Sequence, residues 1–121
     1  MSSQLKLVQY VVVRRDLLDS LKWPFGAVIT QACHACTAIV HMTYNDEQTQ
    51  MYLADLDNMH KVVLEASGQE QIENLAKKLE ENNIAFKLWI EQPENYPTCL
   101  AIKPYLKDDV HKYVKKFKLF K

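Results

Sequence analysis

Leu5-Lys6-Leu7-Val8-Gln9-Tyr10-Val11-Val12-Val13 is the stretch on which the fold turns. Its residues are mostly β-branched, aromatic or aliphatic, with little alternation. A strand with one wet face alternates apolar and polar side chains; a strand covered on both faces does not. This run therefore reads as a central strand with layers packed above and below it. Arg14 to Phe25 is a connector, and Pro24 suits its end or the first turn of a helix.

Gly26–Tyr44 comes next and has no internal Gly or Pro. Val28, Ala32, Ala35, Ile39 and Met42 form one apolar row at helical spacing. Ile29, Cys33, Cys36 and Val40 form a second row beside it. A helix apolar over most of its circumference is expected to be largely buried. Its remaining stripe, Gln31, His34 and His41 edged by Thr30 and Thr37, must then face a cleft, a partner or water.

The rest of the chain alternates. Thr49–Leu56 suits a short second helix, and Lys61–Glu65 a short strand. Ser67 is placed to cap a helix carrying Ile72, Leu75, Ala76 and Leu79, which ends near Asn82-Asn83. Phe86–Glu91 and Thr98–Lys103 read as strands separated by a loop from Pro93 to Pro97. Asp108–Tyr113 reads as a last helix, with Lys115–Lys121 as a tail. The expected order is β-α-α-β-α-β-β-α. Strands that alternate with helices imply parallel pairing through right-handed crossovers. The last two are joined too tightly for a crossover and run antiparallel if they pair. The expected fold is one three-layer α/β/α domain over residues 1–121, with a mixed four-stranded sheet.

Composition narrows the function. At 121 residues, with 48% hydrophobic and 25% charged, the chain has ordinary globular composition. The net charge is zero but unevenly spread. Residues 1–44 carry four cations against two acids, residues 45–102 four against eleven, and residues 103–121 seven against two. A general basic coat for nucleic acid is excluded, whereas a local patch is not. If the two ends of the chain meet, they make one positive face, either a phosphate contact surface or the wet side of an amphipathic helix. Three cysteines make no closed disulfide set. No export signal and no apolar run of membrane-spanning length are read here, so a soluble cytoplasmic protein without a membrane partner is expected. Two glycines cannot write a P-loop or a dinucleotide-binding fingerprint.

Cys33-His34-Ala35-Cys36 is formally a C-x-x-C. It lies about two turns inside the expected helix, where a redox cysteine would not gain the N-terminal dipole, and no second pair completes a zinc site. Packing is the simpler role for these cysteines, and neither a metal nor a cofactor is expected. His34 is the strongest single candidate for chemistry, with Gln31 one turn before it on the same face; a satisfied core histidine is the plainer alternative. His41 lies about 10 Å further along the axis, too far to share a metal with His34. His60 and His111 look exposed. No serine sits in a nucleophile elbow, and the aromatics are too scattered for an RNA-stacking platform.

Gly26-Ala27-Val28-Ile29-Thr30-Gln31-Ala32-Cys33-His34-Ala35 resembles the first-helix signature of type 2 peptidyl-tRNA hydrolases, roughly G-K-x-A-A-Q-C-x-H-A. Other blocks are similar in the same order. They are the first strand with its Arg14, Asp16, Leu17 ending, then Lys61-Val62-Val63, Thr98-Cys99-Leu100-Ala101-Ile102-Lys103-Pro104, and Lys118-Leu119. Leu88-Trp89-Ile90-Glu91-Gln92-Pro93-Glu94-Asn95 resembles the eukaryotic branch of peptidyl-tRNA hydrolase domain-containing proteins. The resemblance covers nearly the whole chain. It implies the mixed α/β fold read above, a tRNA partner and a metal-free cleavage of the ester between a peptide and the terminal ribose of tRNA. Relatives of this fold often form dimers, which makes a homodimer an open expectation.

Carried onto this chain, the resemblance gives His34 as the residue that positions or activates water, with Glu91 orienting it or sharing the proton. Gln31 and Thr98 would donate to the ester oxygens. Lys22, Arg14 and Arg15 would meet phosphate. Two departures stand out. Ala27 replaces the family's lysine, and Glu91–Asn95 replaces a loop reading D-A-G-R-T-Q, so an arginine is gone and Glu94 is gained. Those losses motivate a second reading, a binding module for RNA or protein that kept the fold without the chemistry. A third is a hydrolase for another small substrate on the same scaffold.

Overall fold

The computed structural model describes residues 6–121. Residues 1–5, including the expected start of the first strand at Leu5, lie outside the described residues. The first strand, β1 (Leu7–Arg14), is buried at every position except its first. Val11 and Val13 point into one core, with Val28, Ala35 and Ile39 of helix α2 (Phe25–Met42). Val8, Tyr10 and Val12 point into the other, beneath α4 (Gln69–Glu81) and α5 (Lys107–Val114). Both faces of the strand are covered, which is why its sequence does not alternate.

The remaining elements are α1 (Asp16–Asp19), α3 (Glu47–Ala54), a 3₁₀ turn at Leu56–Asn58, β2 (Lys61–Ala66), β3 (Phe86–Glu91), β4 (Tyr96–Ile102), β5 (Tyr105–Leu106) and β6 (Lys118–Leu119). They build a single mixed sheet in the order β3-β4-β1-β2-β6, with β5 beside β1. β1 runs parallel to β2, with Gln9 opposite Lys61 and Arg14 opposite Ala66. β4 lies antiparallel to β1 and β3 antiparallel to β4, as their short loop requires.

Among the described residues the sheet has six strands, not the four expected. The additional two, β5 and β6, are two residues long. No periodicity can show in two residues; each is a strand because of what lies opposite. Leu106 pairs Leu7, and Leu119 pairs Leu64. The expected tail thus closes the β2 edge, and α1 adds a turn to the first connector.

Three local expectations are also corrected. α2 buries one stripe only, Val28, Gln31, Ala35 and Ile39, because it forms a single layer. Ile29 is 62% exposed and Met42 61%. At 18 residues α2 is also long and apolar enough to cross a membrane, so the expectation of no such run does not hold. A layer helix passes the same test, and the buried stripe of α2 packs on the sheet. Ser67 does not cap α4: its backbone N–H donates to Gln71 Oε1 at 2.8 Å, and Gly68 holds the cap position. α3 is capped, by Asp46, which accepts from the Gln48 and Thr49 amides. Buried Lys103 holds that Asp46 carboxylate at 2.8 Å.

Candidate active site

Gln31 sits on the buried stripe of α2 and points at the sheet, with 1% of its surface exposed. An amide buried there must find partners for both ends. Its Oε1 accepts from Thr98 Oγ1 at 2.9 Å. Its Nε2 donates to Ala27 O and to Glu91 Oε2, each at 3.1 Å. Thr98, on β4, is fully buried. Glu91 ends β3 and is half-buried. The chain Thr98–Gln31–Glu91 thus runs from the core to the surface and presents a carboxylate at its outer end.

The other Glu91 oxygen, Oε1, accepts from Trp89 Nε1 at 3.1 Å. The Trp89 and His34 rings stack at 4.5 Å, 15° from parallel. The Trp89 N–H, then the Gln31 amide, hold the Glu91 carboxyl below the usual carboxylate range, and nearby His34 adds to this. Glu91 is therefore an anion at neutral pH, suited to orienting a donor more than to removing a full proton.

The four residues given for chemistry are thus brought together with one qualification. Gln31, Thr98 and Glu91 form one hydrogen-bonded chain. His34 joins through Trp89, and among the described residues it makes no direct hydrogen bond to Glu91. The donors of Gln31 and Thr98, expected to face ester oxygens, are already taken within the protein. Thr98 spends its hydroxyl proton on Gln31, Gln31 spends both amide protons within the protein, and both residues are buried. Their hydrogen bonds run to Glu91. His34, Thr30, Cys33, Thr37, His41 and Trp89 line a shallow groove of about 490 Å³ between α2 and β3.

The cations divide differently. Arg14, 6% exposed, grips Asp16 with two nitrogens at 2.8 and 3.0 Å and donates to Pro97 O at 2.9 Å. Its guanidinium also lies 5.0 Å from the Tyr96 ring centroid. Three of its five N–H groups are spent on these partners, and the bond to Pro97 ties β4 to β1. Arg15 pairs Asp19 at 3.3 Å, lies over the Phe120 ring and donates to the Lys121 carbonyl. Lys22 is exposed, with a left-handed φ of 60° in the loop before α2.

Through Arg15, the basic segment 1–44 meets the basic segment 103–121. Beside them lies a cleft of about 610 Å³ lined by Arg15, Lys116 and Lys118, but also by Asp16, Asp19 and Glu65. Its charges balance, and it contains none of Gln31, His34 or Glu91. The positive excess sits outside it, on exposed Lys107, Lys112, Lys115 and Lys121.

The cysteines are free. Cys99 is fully buried and donates to Gln31 O at 3.1 Å, and burial pushes its thiol up to about 12. Cys33 is exposed, so packing does not account for it. Sequence reasoning gave Trp89 no role. Its signal was present, since a large aromatic two residues before Glu91 on a strand shares Glu91's face.

A family model described as "Peptidyl-tRNA hydrolase PTH2" matches residues 7–120. Two curated relatives, one from Mus musculus and one from Homo sapiens, are each named "Putative peptidyl-tRNA hydrolase PTRHD1". Each is 49% identical over 116 residues, which covers 95% of this chain and 83% of the relative.

Proposed function

Because this chain belongs to the peptidyl-tRNA hydrolase PTH2 family, we propose that it cleaves the ester joining a peptide to the 3′-terminal ribose of tRNA. The observation that carries this is the Thr98–Gln31–Glu91 chain, which holds a carboxylate at the surface beside an exposed imidazole. Such chains are costly in a core unless every member is satisfied, and this one ends in a half-buried carboxylate beside Trp89, which lines the groove with His34.

In the proposed reaction Glu91 accepts a hydrogen bond from the attacking water and aims its oxygen at the ester carbonyl. His34 takes the second proton of that water as the new C–O bond forms. The tetrahedral intermediate then expels the ribose 3′ oxygen, and His34 returns the proton to it. The products are the peptide carboxylic acid, which gives its remaining proton to solvent to become the carboxylate, and tRNA with its 3′ hydroxyl restored. Gln31 and Thr98 are positioning residues. Lys22, Arg15 and the exposed lysines of residues 112–121 supply the positive surface for tRNA phosphates. We place this work in the cytosol.

The test is release of labelled peptide from peptidyl-tRNA by the purified protein, with binding of deacylated tRNA followed in parallel. Cleavage lost in Glu91→Gln supports the proposal. Salt-dependent tRNA binding without cleavage would instead make the protein a binding module.

A further inference from the structure

His34 lines the groove, and Glu91 lies on the other side of Trp89 from it. His34 is exposed and Glu91 only half-buried. A surface imidazole and a glutamate each have several rotamers, and a reaction that needs both must fix their relative placement. Trp89 touches both. Its indole nitrogen is a donor with no acceptor capacity, and its partner is Glu91 Oε1 at 3.1 Å. Its ring lies parallel to His34 within 15°, the centroids 4.5 Å apart. The indole N–H lies in the ring plane. The carboxylate is therefore held at the edge of the indole and the imidazole over its face.

We infer that Trp89 is a positioning residue that fixes Glu91 and His34 as one unit. A tryptophan has two side-chain torsions, and here its ring is half-buried on β3, so little freedom remains to pass on to its partners. Gln31 grips the other Glu91 oxygen. The carboxylate is thereby clamped from α2 through one oxygen and from β3 through the other. His34 is supported on one face by the same indole. Other ionisable groups near this carboxylate are His34 on α2 and, on β4, Cys99 and Tyr96, which pairs opposite Glu91. Arg14 lies over Tyr96 but is committed to Asp16. None of these donates a hydrogen bond to Glu91 Oε1, and the Gln92 backbone N–H, a further donor to this carboxylate, lowers it less than the indole does.

The kinetic consequence rests on the hydrolase chemistry proposed above; the geometric one does not. Trp89→Phe keeps an aromatic face for His34 and removes the donor. Trp89→Leu removes both. Two readouts separate the possibilities: the pH titration of the Glu91 carboxyl carbon by NMR, and the pH profile of peptidyl-tRNA cleavage. In Trp89→Phe the Glu91 midpoint should rise and the acid limb of the profile should move up with it. kcat should fall about tenfold, with KM within about twofold, as the loss of one charge-assisted hydrogen bond implies. In Trp89→Leu the ring-current shift of the His34 protons should also vanish. An unmoved Glu91 midpoint in Trp89→Phe would overturn the inference and leave Trp89 a packing residue. If the midpoint rises but wild-type protein cleaves no peptidyl-tRNA, the clamp stands and the hydrolase proposal falls. Wild-type protein supplies a readout that needs no tryptophan variant. The Trp89 indole proton resonance should titrate with Glu91 and lose that dependence in Glu91→Gln; a resonance that never titrates counts against the clamp.

Discussion

Gln31→Leu tests whether the buried chain behind Glu91 is held together as described. Leucine nearly matches glutamine in volume and helix propensity, so neither a large cavity nor a helix penalty is expected. Three hydrogen bonds go. The Ala27 carbonyl keeps its place in the first turns of α2, and half-buried Glu91 can take water instead, so these two losses are small. Thr98 is different. Its hydroxyl is fully buried and donates to Gln31 Oε1 at 2.9 Å. Orphaning a buried hydroxyl costs about 1–3 kcal/mol, which sets the expected loss near 2 kcal/mol. Thr98→Val strands the Gln31 oxygen instead and costs a similar ~1–3 kcal/mol. The double variant replaces both partners by apolar groups and should cost no more than the worse single, a coupling of about 1–2 kcal/mol. Urea unfolding of the four proteins at constant m-value measures this. Strict additivity of the two singles, or a Gln31→Leu cost below about 0.5 kcal/mol, would refute the pairing.

Glu91 carries a pH signature in stability. Its folded carboxyl titrates below the usual range, chiefly through the Trp89 N–H and next through Gln31. The stability it contributes is therefore full above the ordinary value of about 4.3 and is lost as pH falls through the lower folded value. The gap between wild type and Glu91→Gln should narrow from pH 6 to pH 3 in urea unfolding; a constant gap would mean the carboxylate is not held. Lys103→Met removes the cation that grips Asp46. Because Asp46 is partly exposed and can rehydrate, a loss of about 1–2 kcal/mol is expected, not the larger cost of a stranded buried charge. Hydrogen exchange at the Gln48 and Thr49 amides should quicken first, and unchanged exchange there would count against the anchor. Replacing Lys116, Lys118 and Lys121 with Gln should weaken tRNA binding and flatten its dependence on log salt by roughly 0.7–0.9 per lost contact. An unchanged slope would place the phosphates elsewhere.

The parts of this molecule that were legible in its sequence are those set by local pattern. The near-continuous apolar run from Leu7 to Val13, broken only by Gln9, required two covering layers, and α2 and α4 lie on opposite faces of β1. Gln31, Glu91 and Thr98 were brought forward from the resemblance, and they do meet. What pattern could not show is how each polar group spends its hydrogen bonds. Gln31 looked like a donor to substrate, yet its amide is fully used inside the protein. Arg14 and Arg15 are adjacent in sequence, but Arg14 folds back on Asp16 while Arg15 reaches Lys121. β5 and β6 owe their existence to residues far away in the chain, so no local window contains them. Buried Lys103 reads in sequence as one more exposed lysine of the basic end; only the approach of Asp46 from the start of α3 makes its burial tolerable.

The most direct measurement is single-turnover release of peptide from peptidyl-tRNA by wild-type protein beside His34→Ala and Glu91→Gln, with tRNA affinity measured on the same three preparations. Cleavage by the wild type that falls at least about a hundredfold in each variant, with affinity held, is the result expected of an imidazole and a carboxylate acting on one water. Cleavage that survives both substitutions, or wild-type protein that binds tRNA and releases nothing, would contradict it.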